Sequence, residues 1–181
     1  MPLHRPTAGQ LQVDGQVAGL NNESEWRCNI SHVSQNMFLA DKTIVENIAF
    51  AVEPDRVELQ AVQHAARQAQ LDQFIQGLPD SYQTCIGENG LRLSGGQRQR
   101  LGIARALYRQ IELIVFDGAT SALETETERR IMDAIDALPG DLTLISVVHR
   151  LSTLKDCTQI SKVDDKRIWL HSSISPIFNP E

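Results

Sequence analysis

Leu93-Ser94-Gly95-Gly96-Gln97-Arg98-Gln99-Arg100 runs without a break into Leu101-Gly102-Ile103-Ala104-Arg105-Ala106-Leu107, and how this stretch is read decides the fold. Two adjacent glycines let a backbone come close to a ligand, and Ser94 stands where a helix N-cap belongs. The first amides of a helix have no partner inside it, and the helix dipole adds partial positive charge there. An anion such as phosphate is therefore the natural guest. Arg98, Arg100 and Arg105 enrich the same segment in positive charge, inside a chain whose net charge is −6. Taken alone, Ser-Gly-Gly reads better as a plain loop before an ordinary helix.

The whole string LSGGQRQRLGIARAL resembles the signature motif of ATP-binding cassette (ABC) ATPases, including the arginine-rich helix that follows it. The resemblance implies that Ser94, Gly95, Gly96 and Gln97 bind the terminal phosphate of an ATP held mainly by a second nucleotide-binding domain. It therefore implies a dimer.

With 181 residues, 41% of them apolar, the chain can bury one sizeable core. A net charge of −6 argues against a nucleic-acid surface, which normally shows a basic face. Cys28, Cys85 and Cys157 are scattered and odd in number, so a disulfide framework or a zinc site is not expected and a reducing compartment fits. No apolar run is long enough to span a bilayer and no signal-peptide core occurs. Any membrane-spanning part is expected on another chain.

Met1 to Gly9 is rich in turn formers, and Gln10 to Gly15 predicts a short strand before an Asp-Gly turn. Arg5 to Gly15 resembles the ABC segment just after the phosphate-binding helix. No GxxxxGKS or GxxxxGKT string occurs, so the Walker A strand, loop and helix and their phosphate-binding lysine are absent from the sequence. The chain is expected to begin downstream of its own nucleotide cradle. Ile30 to Gln35 reads as a short strand. Within SHVSQNMFLADKTIVENIAF, similar to the Q-loop region of exporter-type ABC domains, Gln35 is assigned to magnesium and the attacking water. His32 is read as a strand residue without a role. Thr43-Ile44-Val45-Glu46 has capping-box spacing for a helix through Phe50. Asp55 and Glu58 repeat that signal ahead of Val57, Leu59, Val62, Ala65, Ala66, Ala69, Phe74 and Ile75. These predict one long amphipathic helix, broken near Gly77-Leu78-Pro79, with His64, Arg67 and Gln68 on its solvated face. Thr43 to Leu107 resembles the helical subdomain that carries the ABC signature. Thr84 to Gly90 reads either as a Gly-rich connector or, by resemblance, as the exporter loop that touches the membrane domain.

Ile111-Glu112-Leu113-Ile114-Val115-Phe116-Asp117 is expected to be a parallel strand buried on both faces. A carboxylate at the C-terminal end of such a strand sits where open α/β sheets place ligands. As a lone residue Asp117 could equally be a turn or a cap. With the flanking DGATSALE it resembles the Walker B aspartate that holds magnesium. The family places a glutamate next, and this chain has Gly118, which cannot accept a proton or orient a water. The general-base contribution, typically ~10²–10⁴-fold, should be absent. Glu124 stands at the place of the usual aspartate in the loop that meets the partner domain. Ser121 to Glu124 has capping-box spacing, and Ile131, Met132, Ile135 and Leu138 mark the buried stripe of a helix ending at Pro139-Gly140. Asp141 to Val148 predicts another strand, parallel to the previous one through a right-handed crossover. At its end His149, within SVVHRLSTLKDC, resembles the switch histidine that contacts the terminal phosphate and the attacking water. Gln159 to Val163 reads as a last strand, and Trp169 to Glu181 as a poorly defined tail.

The resemblance as a whole implies an α/β fold, a P-loop NTPase domain of ABC type over residues 1–168. It would have a partial parallel sheet and a helical subdomain at about 43–107, and would lack the Walker A unit. It implies the ATP-binding domain of an ABC exporter, using ATP and Mg²⁺ and working with a second nucleotide-binding domain and a transmembrane domain. It would sit on the cytoplasmic side of the inner or plasma membrane. Gly118 and the missing Walker A loop predict negligible hydrolysis by the chain itself. A non-catalytic partner completing a composite site and a non-functional remnant are the alternatives. Chromosome-structure ATPases carry a similar signature on long heptad coiled coils, and no sustained heptad occurs here.

Overall fold

Asp14-Gly15 turns the chain sharply, with both residues at positive φ (49° and 77°), as a two-residue hairpin requires. The turn joins β1 (Gln12–Val13) antiparallel to β2 (Gln16–Val17). The computed structural model describes residues 7–10, 12–17, 26, 28–34, 37–109, 111–117, 125–136, 142–147, 157–165 and 167–171. The helix start at Ser121 to Glu124, Leu138, Pro139-Gly140 and the tail beyond 171 lie outside the described residues, as do the side chains of Ile131 and Ile135.

Beyond the hairpin, β3 (Ile30–Ser34) is followed by α1 (Ile44–Ile48). The Thr43-to-Glu46 spacing closes as a full capping box: the Glu46 N–H donates to the Thr43 hydroxyl and the Thr43 N–H to the Glu46 carboxylate. These bonds, backbone first, hold the Glu46 carboxyl below its ordinary value. The single long helix expected next is instead a 3₁₀ turn (Pro54–Arg56), α2 (Leu59–Gln68) and α3 (Asp72–Gln76). Asp55 lies inside the 3₁₀ turn, and the residue before α2, Glu58, makes no side-chain cap. The break falls well before Gly77. Gln70 takes φ 55°, the Gln70 N–H donates to the Arg67 carbonyl, and the Leu71 N–H reaches back to Ala66. This is a Schellman termination with Gln where glycine is usual, and burying Leu71 offsets the left-handed strain. His64 and Arg67 are exposed as expected, whereas Gln68 is half-buried.

α4 (Gly95–Tyr108) carries the signature sequence. β4 (Leu113–Asp117), α5 (Thr125–Asp136) and β5 (Thr143–Val147) follow, and the sheet order is β3-β4-β5. Both pairings are parallel, with Val33 opposite Phe116 and Phe116 opposite Ser146. The expected strand-helix-strand crossover is therefore in place. The expected burial of β4 on both faces is not. Ile114 and Phe116 are fully buried on one side, while Leu113 and Val115 on the other are only half-covered. The covered side packs on the helical region, in a core that includes Leu39, Ile44, Ile48, Leu71, Ile75, Ile86 and Leu101. Met132 of α5 packs against this core. β6 (Ile160–Asp164) is not the last strand: it pairs antiparallel with β7 (Arg167–His171). Trp169, Leu170 and His171, expected in the tail, belong to β7.

Asn47 is the polar centre of the helical region and is 0% exposed. Its amide nitrogen donates to the Ala40 and Thr43 carbonyls (3.0 Å each), and its amide oxygen accepts from the Ala40 N–H at 3.0 Å. Asn47→Ala strands these groups away from water and should cost about 3 kcal/mol in urea unfolding at unchanged m-value. Because the carboxyl of Glu46 is depressed in the folded chain, its stabilisation is present above the ordinary 4.5 and lost as pH falls through the folded value. Thr43→Val removes the hydroxyl but keeps the backbone donor, so it should shrink that acid limb of the stability profile without abolishing it.

Candidate functional site

Ser94 caps α4, a helix of 14 residues. The Gln97 N–H donates to the Ser94 hydroxyl at 3.2 Å, and the Ser94 N–H donates to the Gln97 side-chain oxygen at 2.8 Å. Ser-Gly-Gly-Gln is thus itself a capping box, a signal present in the sequence but not used above. The box occupies the Gln97 side chain and leaves the N–H groups of Gly95 and Gly96 without a side-chain cap. Ser94 is exposed. A helix N-terminus with bare glycine amides at the surface is what one phosphate group needs.

The three arginines are not arrayed around this opening as free charges. Arg98 donates to the Leu93 carbonyl at 2.7 Å, and Arg100 to the Gln70 carbonyl at 2.9 Å and the Gly96 carbonyl at 3.4 Å. Arg105 donates to the Asn47 carbonyl at 2.8 Å and the Phe38 carbonyl at 3.0 Å, and lies 4.5 Å from the centre of the Phe50 ring. Burial lowers its pKa to about 10, so it is still a cation at neutral pH. Ahead of the helix, Gly90 turns the chain at φ 67°, where an added Cβ would come within 2.7 Å of Leu39 Cδ1. A side chain here would combine left-handed strain with a clash that Leu39 would have to relieve. Cys85, in the preceding loop, is bridged to Thr43, which ties that loop to the start of α1.

Asp117 ends β4 and is exposed. Its Oδ2 lies 3.9 Å from Nε2 of His32 on the neighbouring strand. His32, given no role from sequence, is therefore the described side chain that stands beside the expected magnesium ligand. The strand register explains this: Ser34 pairs with Asp117, and His32, two residues back, points to the same face. No group of three or more His, Cys, Asp or Glu side chains occurs among the described residues. One exposed carboxylate still fits Mg²⁺, which takes one or two protein carboxylates and completes its shell with water and phosphate oxygens. Gln35, Gly118, Glu124 and His149 lie outside the described residues. The described part of the expected site is thus two pieces, the Ser94 to Gln97 cap and Asp117, with no hydrogen bond or ion pair joining them.

A three-stranded parallel sheet whose middle strand ends in an acidic residue, with helices between its strands, defines an α/β domain, and the family match places it in the P-loop NTPase class. A family model for ABC transporters matches residues 1–121, and the chain belongs to that family. It is 45% identical over 161 residues to the ATP-dependent lipid A-core flippase of Photobacterium profundum, covering 89% of this chain and 27% of the relative. It is 38% identical over 164 residues to the flippase of the same description from Cupriavidus metallidurans, covering 90% and 28%. Its fold matches a bacterial Atm1-family ABC exporter solved with ATP bound, with TM-score 0.85 and 38% identity over 91% of this chain and 28% of the other. The chain thus spans under a third of the length of these relatives.

Ser94→Ala removes the hydroxyl cap and should cost about 1 kcal/mol of stability. Ser94→Asp keeps an acceptor and should restore most of it. Urea midpoints of the two variants check this.

Proposed function

We propose that the chain is the ATP-binding domain of an ABC exporter, acting as one half of a composite ATP site. The capped start of α4 carries this reading: its serine is exposed and its two glycine amides have no side-chain cap. In the proposal Ser94, Gly95, Gly96 and Gln97 close on the terminal phosphate of an ATP gripped by a second nucleotide-binding domain. Asp117 and Gln35 hold Mg²⁺, and His149 contacts the terminal phosphate. Bound there, Mg²⁺ would neutralise phosphate charge, and the share of this chain is to supply oxygen ligands and hydrogen-bond donors. Residues 1–168 form the ATPase unit and about 43–107 its helical subdomain. Among the described residues no helix is long and apolar enough to cross a membrane. In the proposal a transmembrane domain does the spanning, as in the exporters this chain resembles, and this domain sits against it on the cytoplasmic side. The names of the relatives support a lipid-like substrate, moved by that membrane domain.

Gly118 favours a non-hydrolysing role within this scheme. It leaves the position after Asp117 without a side chain to polarise water. The domain completes a partner's site better than it turns over ATP itself.

The chain alone with Mg²⁺ and ATP should turn over far below ~1 s⁻¹, the low end of ordinary enzymes. Mixed with the intact ATP-binding domain of the Photobacterium profundum flippase, it should tighten nucleotide binding. Gly95→Val, which crowds the bare amides, should remove that gain, about 10-fold for the loss of one charge-assisted hydrogen bond. Enzyme-like turnover by the chain alone would sink the non-hydrolysing role. No change in nucleotide affinity on mixing would sink the composite site.

A further inference from the structure

Ala61, His64, Ala65 and Gln68 of α2 fall at positions i, i+3, i+4 and i+7. At that spacing they share one stripe of the helix. A stripe laid against a core ordinarily carries large apolar side chains, and here two alanines and two polar residues stand in their place. The space they leave is a cavity of about 400 Å³ between α2, the end of α4 and the starts of β4 and β5. Ala106, Ile114 and Leu142 form its apolar wall. The volume falls within the range of small-molecule sites, roughly 300–1,000 Å³. Ile114 is the second residue of β4, and Leu142 immediately precedes β5. The cavity therefore lies at the N-terminal ends of these strands, whereas Asp117 stands at the C-terminal end of β4. None of its lining residues belongs to the proposed ATP site.

Three polar side chains line the same cavity: His64, Gln68 and Tyr108. His64 is exposed and marks the mouth, while Gln68 and Tyr108 are half-buried. Among the described residues, none of these three side chains is engaged in a hydrogen bond or an ion pair. Between them they offer a phenol O–H, an imidazole N–H and an amide N–H as donors, and the Gln68 amide oxygen as an acceptor. The cavity lining contains no Asp, Glu, Lys or Arg among the described residues. A charged guest would leave water without a counter-charge, which is costly. A purely apolar guest would displace water from the three polar groups and give them no partner in return. The guest that meets both conditions has an apolar body and a neutral head that donates and accepts. We propose that the cavity between α2, α4 and β4 is a binding site for a small uncharged amphiphile, an apolar ring or chain carrying one hydroxyl or amide head. Because α2 and α4 belong to the helical region and β4 to the sheet, an occupant braces one against the other. The proposal goes beyond the ATP reading, since it rests on cavity shape, burial and hydrogen-bonding chemistry and needs no nucleotide.

The test uses the whole 181-residue protein without nucleotide. Its probe is 1-naphthol, with naphthalene as the headless comparison and 1-naphthoate as the charged one. Calorimetry should show 1-naphthol bound at one site with a Kd of about 1 mM or below, roughly 3- to 10-fold tighter than naphthalene, the effect of one net hydrogen bond. Binding of 1-naphthoate should be weaker than that of 1-naphthol by about 10-fold or more, because its charge finds no partner. Methyl NMR should show Ile114 and Leu142 shifting on addition of 1-naphthol, while the exposed methyls of Ile145 and Val147 stay in place. Ala61→Leu fills the cavity from a half-buried position and should weaken binding by about 10-fold or more, with the urea midpoint held or raised. Tyr108→Phe keeps the ring and should erase most of the preference for 1-naphthol over naphthalene. No binding of 1-naphthol at about 1 mM, equal binding of naphthalene, or shifts confined to Ile145 and Val147 overturns the proposal. Tighter binding of 1-naphthoate overturns it in favour of an anion site, and affinity unchanged in a folded Ala61→Leu variant overturns the placement. Because ATP is absent throughout, failure here leaves the composite-site reading standing, and failure of that reading leaves this one standing.

Discussion

The helical region hangs on one buried amide. Asn47 cannot meet water, so its amide must be satisfied by the chain around it, and it is satisfied by Ala40, Thr43 and the Arg105 guanidinium at 3.2 Å. Arg105 in turn reaches the Asn47 and Phe38 carbonyls. One amide and one guanidinium therefore fasten three segments: the link from β3, α1 and the last turn of α4. Ser94 sits at the far end of that same helix. Its location is thus fixed three turns away, by a contact that touches no ligand.

The positive cluster of Arg98, Arg100 and Arg105 takes a different meaning in this light. Each guanidinium donates to a backbone carbonyl, and each such carbonyl belongs to an irregular segment or a helix end. Arginine suits this work because its fork satisfies several acceptors at fixed geometry while staying charged; lysine offers a single flexible point. The sequence shows the charge but not its direction, since spacing along a helix cannot say which carbonyls lie within reach. The proposed anion site at the start of α4 therefore rests first on the glycine amides and the dipole, and only secondarily on these side chains.

What could be read from sequence was what depends on neighbours along the chain. The Thr43 and Ser94 caps, the Asp14-Gly15 turn and the β4 to β5 crossover follow from local spacing and handedness, and the signature string was specific enough to carry the family. The misreadings arose where tertiary contacts overrule local pattern. Apolar spacing from Val57 to Ile75 suits a continuous helix, but burying Leu71 requires a left-handed residue at Gln70, and the helix breaks there. The apolar run at β4 looks covered on both sides because periodicity cannot report whether a partner layer exists. The closeness of His32 to Asp117 comes from the register between two strands about eighty positions apart, which no local window of sequence contains.

That pairing also bears on the proposed separation of phosphate recognition from hydrolysis. Asp117 is placed by the sheet: β4 lies between two parallel neighbours, and its last residue projects at the edge where α/β sheets hold ligands. Nothing in that placement depends on residue 118. A strand end can keep its metal-binding carboxylate while the next position loses the group that would orient water, because the first is fixed by backbone pairing and the second acts only through its own side chain. Likewise the Ser94 cap is fixed within α4, independent of both. In the proposed role, a substitution that removes hydrolysis at one position would leave intact the parts that would recognise a phosphate, because each is fixed by backbone structure that does not involve that position.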